Sequence, residues 1–378
     1  MIECHKATAL TRIGRIRPDW TGSALVREST LHQLSPYIGK IKSTIAASLV
    51  RTFSRPGDLI YDPFSGSGTV ALEAWFAGRR IIANDLSPYA WTLTQGKLRP
   101  YVSVEMALAD LEKANARVKA LMPPLDLRAV PKYVRCFFHS ETLRETLAWT
   151  HVLQESEGYF LLSCLLGILH HQRPGFLSFP SSHTVPYLRT KRFPRKWYPD
   201  LYAYRSVRDR LEAKVRRAMK RMPDLDFSFY RRCVSKDASQ FRPPLPVDTI
   251  ITSPPYMRQL DYGRDNRLRL WFLGAPDWKA LDDAVTPGEA DFLALMRRCL
   301  TLWREILPQG GHCVLVFGDT WSRVYRIPLP HAVSAIALRE VRGYSLLDSY
   351  TDSIPDVRRV RRNCRGNRSE TIIVLKKR

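Results

Sequence analysis

The tetrapeptide Ser253-Pro254-Pro255-Tyr256 offers a hydroxyl, a carbonyl set between two prolines and an aromatic ring within four residues. Each proline has a fixed φ and no N–H, so the segment is stiff and cannot continue a sheet ladder. It follows an apolar, β-branched run at Val247, Ile250 and Ile251, which predicts a buried strand. The corner therefore stands at a strand's carboxyl end, the edge at which open α/β sheets place ligands. Two acceptors and a flat ring in that arrangement suit a planar amino group held in one orientation. A strand followed by an ordinary proline turn is the other reading of the same residues.

A second constellation lies earlier. The segment from Leu59 to Thr69 runs as strand, then Asp62-Pro63-Phe64-Ser65-Gly66-Ser67-Gly68-Thr69, then an apolar helical pattern at Val70, Leu72, Ala74 and Trp75. Glycines let a backbone approach a ligand closely, and a helix start offers free N–H groups. A further strand, Arg80–Ala83, ends at Asn84-Asp85. An acid at the tip of the second strand is where a ribose hydroxyl pair is held in nucleotide-binding sheets. The set points to a nucleoside-type cofactor, although glycine also serves packing in many strand-to-helix turns. A third strand, Arg231–Val234, runs into Ser235-Lys236-Asp237-Ala238. Asp237 can accept from an adenine amino group or can simply cap a turn.

The remaining elements position these corners. Helices are predicted over Ser43–Phe53, Asn266–Phe272 and Glu289–Leu307, with strands at His312–Phe317, Tyr344–Tyr350 and Thr371–Leu375. Between residues 101 and 229 the pattern changes to helices (Val104–Leu121, Glu141–Gln154, Tyr159–His170) and a basic, aromatic stretch. That stretch holds Tyr187, Arg189, Lys191, Arg192, Arg195, Lys196 and Trp197, followed by a basic helix containing Arg208. Cations interleaved with aromatics suit phosphate contact with base stacking; a solvated helix face and a small satellite core are the plainer reading. More arginines (358, 359, 361, 362, 365, 368) fill the loop before the last strand.

The chain has 378 residues, enough for a large core, with 45% hydrophobic and 25% charged residues. Lys and Arg outnumber Asp and Glu by 59 to 36, a formal charge of +23, which favours a phosphate polymer as partner. The seven cysteines are scattered without a C-x-x-C pair, as expected of reduced thiols in a cytoplasmic protein. No apolar run is long enough to span a bilayer, and no secretory signal is visible. His170-His171 has no carboxylate pattern beside it and reads as a helix end, so no metal is expected.

The Asp62–Thr69 turn, Asn84-Asp85 and Thr252-Ser253-Pro254-Pro255-Tyr256 together resemble S-adenosylmethionine-dependent amino-methyltransferases of DNA. The segment from His32 to Lys40, ahead of a helix, is similar to the family's additional cofactor motif. The resemblance covers residues 30–100 and 230–378. It implies an α/β, Rossmann-like class I fold: a mostly parallel seven-stranded sheet with a reversed last hairpin, carrying an inserted, mainly helical basic region. It divides the chain into an N-terminal arm (1–30), a catalytic domain (31–100 and 230–378) and a target-recognition insertion (101–229). Tyr37 and Lys40, Asp62 to Phe64, Gly66 to Thr69, Asp85, Leu86, Asp237 and Ala238 would hold the cofactor. Ser253, Pro254, Pro255 and Tyr256 would hold a base flipped out of duplex DNA.

A serine opening the tetrapeptide is similar to cytosine-N4 enzymes, whereas adenine-N6 enzymes more often carry Asp or Asn there. The glycine motif precedes Ser-Pro-Pro-Tyr, which departs from the commonest cytosine-N4 order. Carbon-5 methylation needs a thiolate that usually follows a proline, and the chain has no Pro-Cys dipeptide. An adenine-N6 enzyme, an RNA amino-methyltransferase and a non-catalytic nucleic-acid-binding protein stand as alternatives. A cognate restriction endonuclease is the protein partner such an enzyme can have; oligomeric state is not legible.

Overall fold

The computed structural model describes residues 13–14, 28–122, 126–173, 175–182, 185–255, 261–285, 288–353 and 369–378. Tyr256 and the arginine-rich loop before the last strand lie outside them.

Ten strands are described: β1 (Ile13–Gly14), β2 (Leu59–Asp62), β3 (Arg80–Asn84), β4 (Arg231–Val234), β5 (Thr249–Thr252), β6 (His312–Gly318), β7 (Trp321–Ser322), β8 (Ile327–Pro328), β9 (Tyr344–Ser353) and β10 (Ser369–Lys377). Eight form one sheet in the order β1-β9-β10-β6-β5-β2-β3-β4, and β7 pairs with β8 alone. All pairings in the large sheet are parallel except those of β10, which runs against both β6 and β9. This is the Rossmann-like sheet expected from the sequence, with its reversed strand near one edge. The addition is β1, two residues of the expected N-terminal arm that pair with β9.

Twelve α-helices are described: α1 (Ser43–Phe53), α2 (Thr69–Phe76), α3 (Pro88–Leu98), α4 (Val104–Leu121), α5 (Lys132–Arg135), α6 (Ser140–Glu155), α7 (Tyr159–Ile168), α8 (Val207–Met219), α9 (Tyr262–Phe272), α10 (Trp278–Val285), α11 (Glu289–Ile306) and α12 (Leu329–Ala335). The central strands β2, β3, β5 and β6 are buried on both faces, and their successive side chains alternate between two cores. Ile60, Ile81, Ile251 and Val314 join one cluster with α1–α4 and α6–α9. Tyr61, Ile82, Ile250 and Leu315 join the other, with α11 and α12. The helices of 101–229 therefore share a single core with α1–α3. Within it α3, which packs on α7, is buried all round, including Thr92, Thr94, Gln95 and Lys97.

The turn after β2 is shaped by its glycines. Gly68 is the N-cap of α2 at φ 69°, a left-handed conformation costly for other residues. A Cβ there would stand 2.7 Å from Thr94 Oγ1 and 3.2 Å from Thr94 Cα, so Gly68 sets how closely α2 packs on α3. Gly68→Ala is expected to destabilise the protein by about 2–4 kcal/mol, combining backbone strain with overpacking. A urea midpoint within error of the parent would contradict this account.

Candidate active site

The carboxyl ends of β2, β3, β4 and β5 open onto one cleft of about 250 Å³. The glycine turn, Asp85, Asp237 and the proline corner all reach it, so the two constellations expected from the sequence face each other across one space.

Their contact is specific. Thr252, the last residue of β5, is fully buried, and its hydroxyl donates to Asp62 Oδ1 at 2.7 Å. The same oxygen accepts the backbone N–H of Phe64 at 3.1 Å. One side chain thus ties the glycine turn to the residue before Ser253. Ser253 Oγ donates to the carbonyl of Val316 on β6 at 3.1 Å. A hydroxyl has one proton; with that committed to Val316, it meets a further partner only as an acceptor. Pro254 between them is buried, while Ser253 and Pro255 line the cleft.

Asp85 accepts from Gly66 N at 2.7 Å and from Ser87 N at 2.9 Å, so the acid holds the glycine turn in shape. Gly66 has φ 49°, with its Cα face against the Tyr37 ring. Asn84 closes the other side: its amide donates to Pro63 O and Lys236 O at 3.0 Å each, and its carbonyl oxygen accepts from Lys236 N at 2.8 Å. It joins the loops after β2, β3 and β4. Leu86, beside Asp85, is 42% exposed and lines the cleft, an apolar surface placed for a flat ring.

Other expected residues divide. Tyr37, Lys40, Pro63, Phe64, Ser67, Thr69 and Ala238 line the cleft. Gly68 faces α3 as described and is not on the cleft wall. Asp237 lines the cleft while also accepting from Ser239 N and Oγ at 2.9 and 2.8 Å and from Gln240 Nε2 at 2.9 Å, so it shapes its turn as well. Tyr262, Asp291, Leu295 and Arg298 complete the walls from α9 and α11. Sequence reading missed them, because nothing in their local pattern marks a wall contributed by distant helices. Tyr37 stacks between Tyr89 and Tyr262, with centroids 5.9 Å away on each side.

Two of the carboxylates that line the cleft are deeply buried. Burial pushes the Asp62 carboxyl up to about 7, against the Thr252 hydrogen bond, and burial pushes Asp85 up to about 6. Below those values the folded apo protein holds protons that a positively charged ligand must displace. Affinity for a sulfonium cofactor is therefore expected to be at least about tenfold weaker at pH ~5.5 than at pH ~8, with proton release on binding at the lower pH. Calorimetry in buffers of different ionisation enthalpy measures both; a flat pH profile would contradict the carboxylate assignment.

The basic region also divides. Arg208 is held by Glu112, Asp209 and Glu212, and so cross-links α8 to α4. Its charge is matched within the protein, while its side chain stays 37% exposed. Arg205 is buried and donates to the carbonyls of Phe176, Ser178 and Leu201, holding the preceding loop. That loop presents its cations against rings: Arg189 over Tyr187, Arg192 over Phe193, Arg195 over Tyr202 and Lys196 over Trp197. Lys191 is exposed, and Trp197 is 71% exposed. His170 Nδ1 lies 3.0 Å from Ser182 O. Among the described residues no three His, Cys, Asp or Glu are grouped to hold a metal ion, and no helix is long and apolar enough to cross a membrane.

Residues 34–122, which carry the glycine turn, Asp85 and Tyr37, match the family model described as UPF0020, RMKL-like, methyltransferase domain. This segment is similar to a methyltransferase domain. A domain of that kind calls for a methyl donor, and the donor expected from the sequence is S-adenosylmethionine. The cleft fits that group: a buried acid at the β3 tip, an exposed apolar side chain beside it, and a glycine turn closed by Tyr37. A curated relative, Type II methyltransferase M.MjaII of Methanocaldococcus jannaschii, is 32% identical over 75 residues, 20% of this chain and 14% of its own length. The chain thus matches a small part of that relative. Among solved structures, TrmN from Thermus thermophilus is 14% identical at a TM-score of 0.38, covering 94% of this chain and 53% of that one. The rRNA methyltransferase aviRa from Streptomyces viridochromogenes is 12% identical at 0.35, covering 94% and 90%.

Proposed function

We propose that this chain is an S-adenosylmethionine-dependent DNA methyltransferase acting on the exocyclic amino nitrogen of a flipped base, cytosine N4. The observation that carries the reading is the Thr252 joint, which puts the glycine turn and the Ser-Pro-Pro corner on one cleft.

In this reading Asp85 takes the cofactor's ribose hydroxyls. Leu86 and Ala238 flank its adenine ring, Asp237 accepts from the adenine amino group, and Asp62, Phe64 and Gly66 line the methionine side. The bound cofactor supplies an electrophilic methyl group. An exocyclic amine is a poor nucleophile because its lone pair is delocalised into the ring. Ser253 Oγ, its proton spent on Val316, and the Pro254 carbonyl accept the two amino hydrogens. This draws the nitrogen toward a tetrahedral shape and aims its lone pair. Tyr256, outside the described residues, stacks on the base once it has left the duplex. Serine in this place favours cytosine N4, by the resemblance noted above.

The partner face is the loop carrying Arg189, Lys191, Arg192, Arg195, Lys196 and Trp197, whose cations are steadied on rings and suit phosphate contact with stacking. The likeness to a relative named a type II methyltransferase, over 75 residues, supports methyl transfer.

The test is methyl transfer from labelled cofactor to mixed-sequence duplex DNA and, in parallel, to structured RNA, with digestion to nucleosides and mass identification. N4-methylcytosine in DNA is expected. N6-methyladenine would correct the base, label in RNA alone would correct the substrate, and no label in either would reject the reading.

A further inference from the structure

We infer that the β7–β8 hairpin is a second nucleic-acid contact, which stacks its exposed indole on the strand beside the target base. The inference rests on the function proposed above and deepens it.

The hairpin follows β6 directly, and Ser253 is bonded to Val316 on that strand. Five residues after Val316 comes Trp321, 58% exposed, and then Val324, 63% exposed. Arg323 and Arg326 are exposed around them. A soluble protein rarely leaves a tryptophan so uncovered without a use for it.

The hairpin is also braced. Ser322 Oγ donates to Glu289 Oε1 at 2.7 Å, and Val324 N donates to the same oxygen at 3.0 Å. Glu289 opens α11, two residues before Asp291 on the cleft wall. Tyr325 N donates to Ser322 Oγ at 3.1 Å, and Tyr325 hydroxyl donates to Glu340. Leu329 N donates to Thr320 O at 2.7 Å. The indole thus stands on a hairpin tied to the first residue of α11 and joined to the strand that bonds Ser253.

Location separates this surface from the loop of 187–198. That loop is rooted through Phe176 and Leu188 in the core on one face of the sheet. The hairpin is rooted through Tyr325 and Ile327 in the core on the other. Two supports of the same chemistry, cations with an uncovered ring, are thus rooted on opposite faces of the sheet. A base pushed out of a duplex leaves a gap and an unstacked neighbour, and an aromatic ring on a rigid mount is suited to cover either. Arg323 and Arg326 supply charge for the adjoining phosphates, in keeping with the +23 of the whole chain.

The experiment measures affinity of the full chain for mixed-sequence duplex DNA and for structured RNA, comparing the parent, Trp321→Ala and Trp321→Phe. Affinity for S-adenosylmethionine and the melting temperature serve as controls. Trp321→Ala is expected to weaken nucleic-acid binding about tenfold or more, Trp321→Phe to restore most of it, and both controls to stay at the parent's values. Photocrosslinking with iodouracil-substituted duplex is expected to label the peptide containing Trp321. Unchanged binding by Trp321→Ala with no crosslink there would overturn the inference while leaving the proposed function intact. If the parent binds neither nucleic acid, the proposed function itself fails. A parent dimer that Trp321→Ala converts to monomer, with nucleic-acid affinity unchanged, would assign the surface to a second copy of the chain instead.

Discussion

Ser253→Ala is expected to lower the rate of methyl transfer by about 10²–10³-fold, the usual cost of removing one positioned hydrogen-bonding group at a reacting centre. Cofactor affinity should stay within about twofold of the parent, because Ser253 sits on the β5 side of the cleft, away from Asp85 and Leu86. The reasoning is geometric. Val316 O takes the hydroxyl proton at 3.1 Å, which leaves the oxygen oriented to accept. Alanine removes the acceptor and leaves the backbone corner, stiffened by Pro254 and Pro255, in place. Single-turnover rates with saturating cofactor isolate the step. A Ser253→Ala protein that methylates at the parental rate would show that the hydroxyl has no part in positioning the amine.

Thr252→Val is expected to damage two properties at once. The substitution keeps shape but deletes the oxygen that serves Asp62 Oδ1 and Phe64 N. Both partners are left in a place poor in water, Asp62 being almost wholly buried. An orphaned buried polar group costs about 1–3 kcal/mol, so a loss of about 2–4 kcal/mol in unfolding free energy follows. The Asp62 carboxyl, deprived of the bond that favours its charged form, should titrate still higher than about 7. Cofactor affinity at neutral pH should then fall, with recovery as pH rises. Thr252→Ser, which retains the oxygen, should restore much of both. Chemical denaturation and calorimetry across pH read the two effects separately. A Thr252→Val protein as stable as the parent, with parental cofactor affinity, would remove the joint from the account.

Sequence reading reached the site where punctuation is strong. Gly66, Gly68, Pro254 and Pro255 break the chain at strand ends, and Asp85 follows a clear β-branched run, so their places on the sheet edge were readable. The long helices α4, α6 and α11 were legible from their apolar spacing. By contrast α3 leaves no stripe, since Thr92, Thr94, Gln95 and Lys97 are buried with its apolar residues, and only Ser87 and Pro88 mark its start. Arg208 was read by type alone; its partner Glu112 lies 96 positions earlier, and no local pattern reveals such a match. Tyr262 was invisible as a wall residue for the same reason, because Tyr37, on which it stacks, lies 225 positions before it in the chain.

The helices between residues 101 and 229 interlock with α1, α2 and α3 in one apolar mass. Such a region is no detachable cassette: cutting it out would uncover α3, which packs on α7, and grafting another in its place would require rebuilding that contact. Under the proposed function, a change of target preference is expected in exposed edges, such as the turn around Trp197, where side chains can vary without disturbing what the sheet rests on.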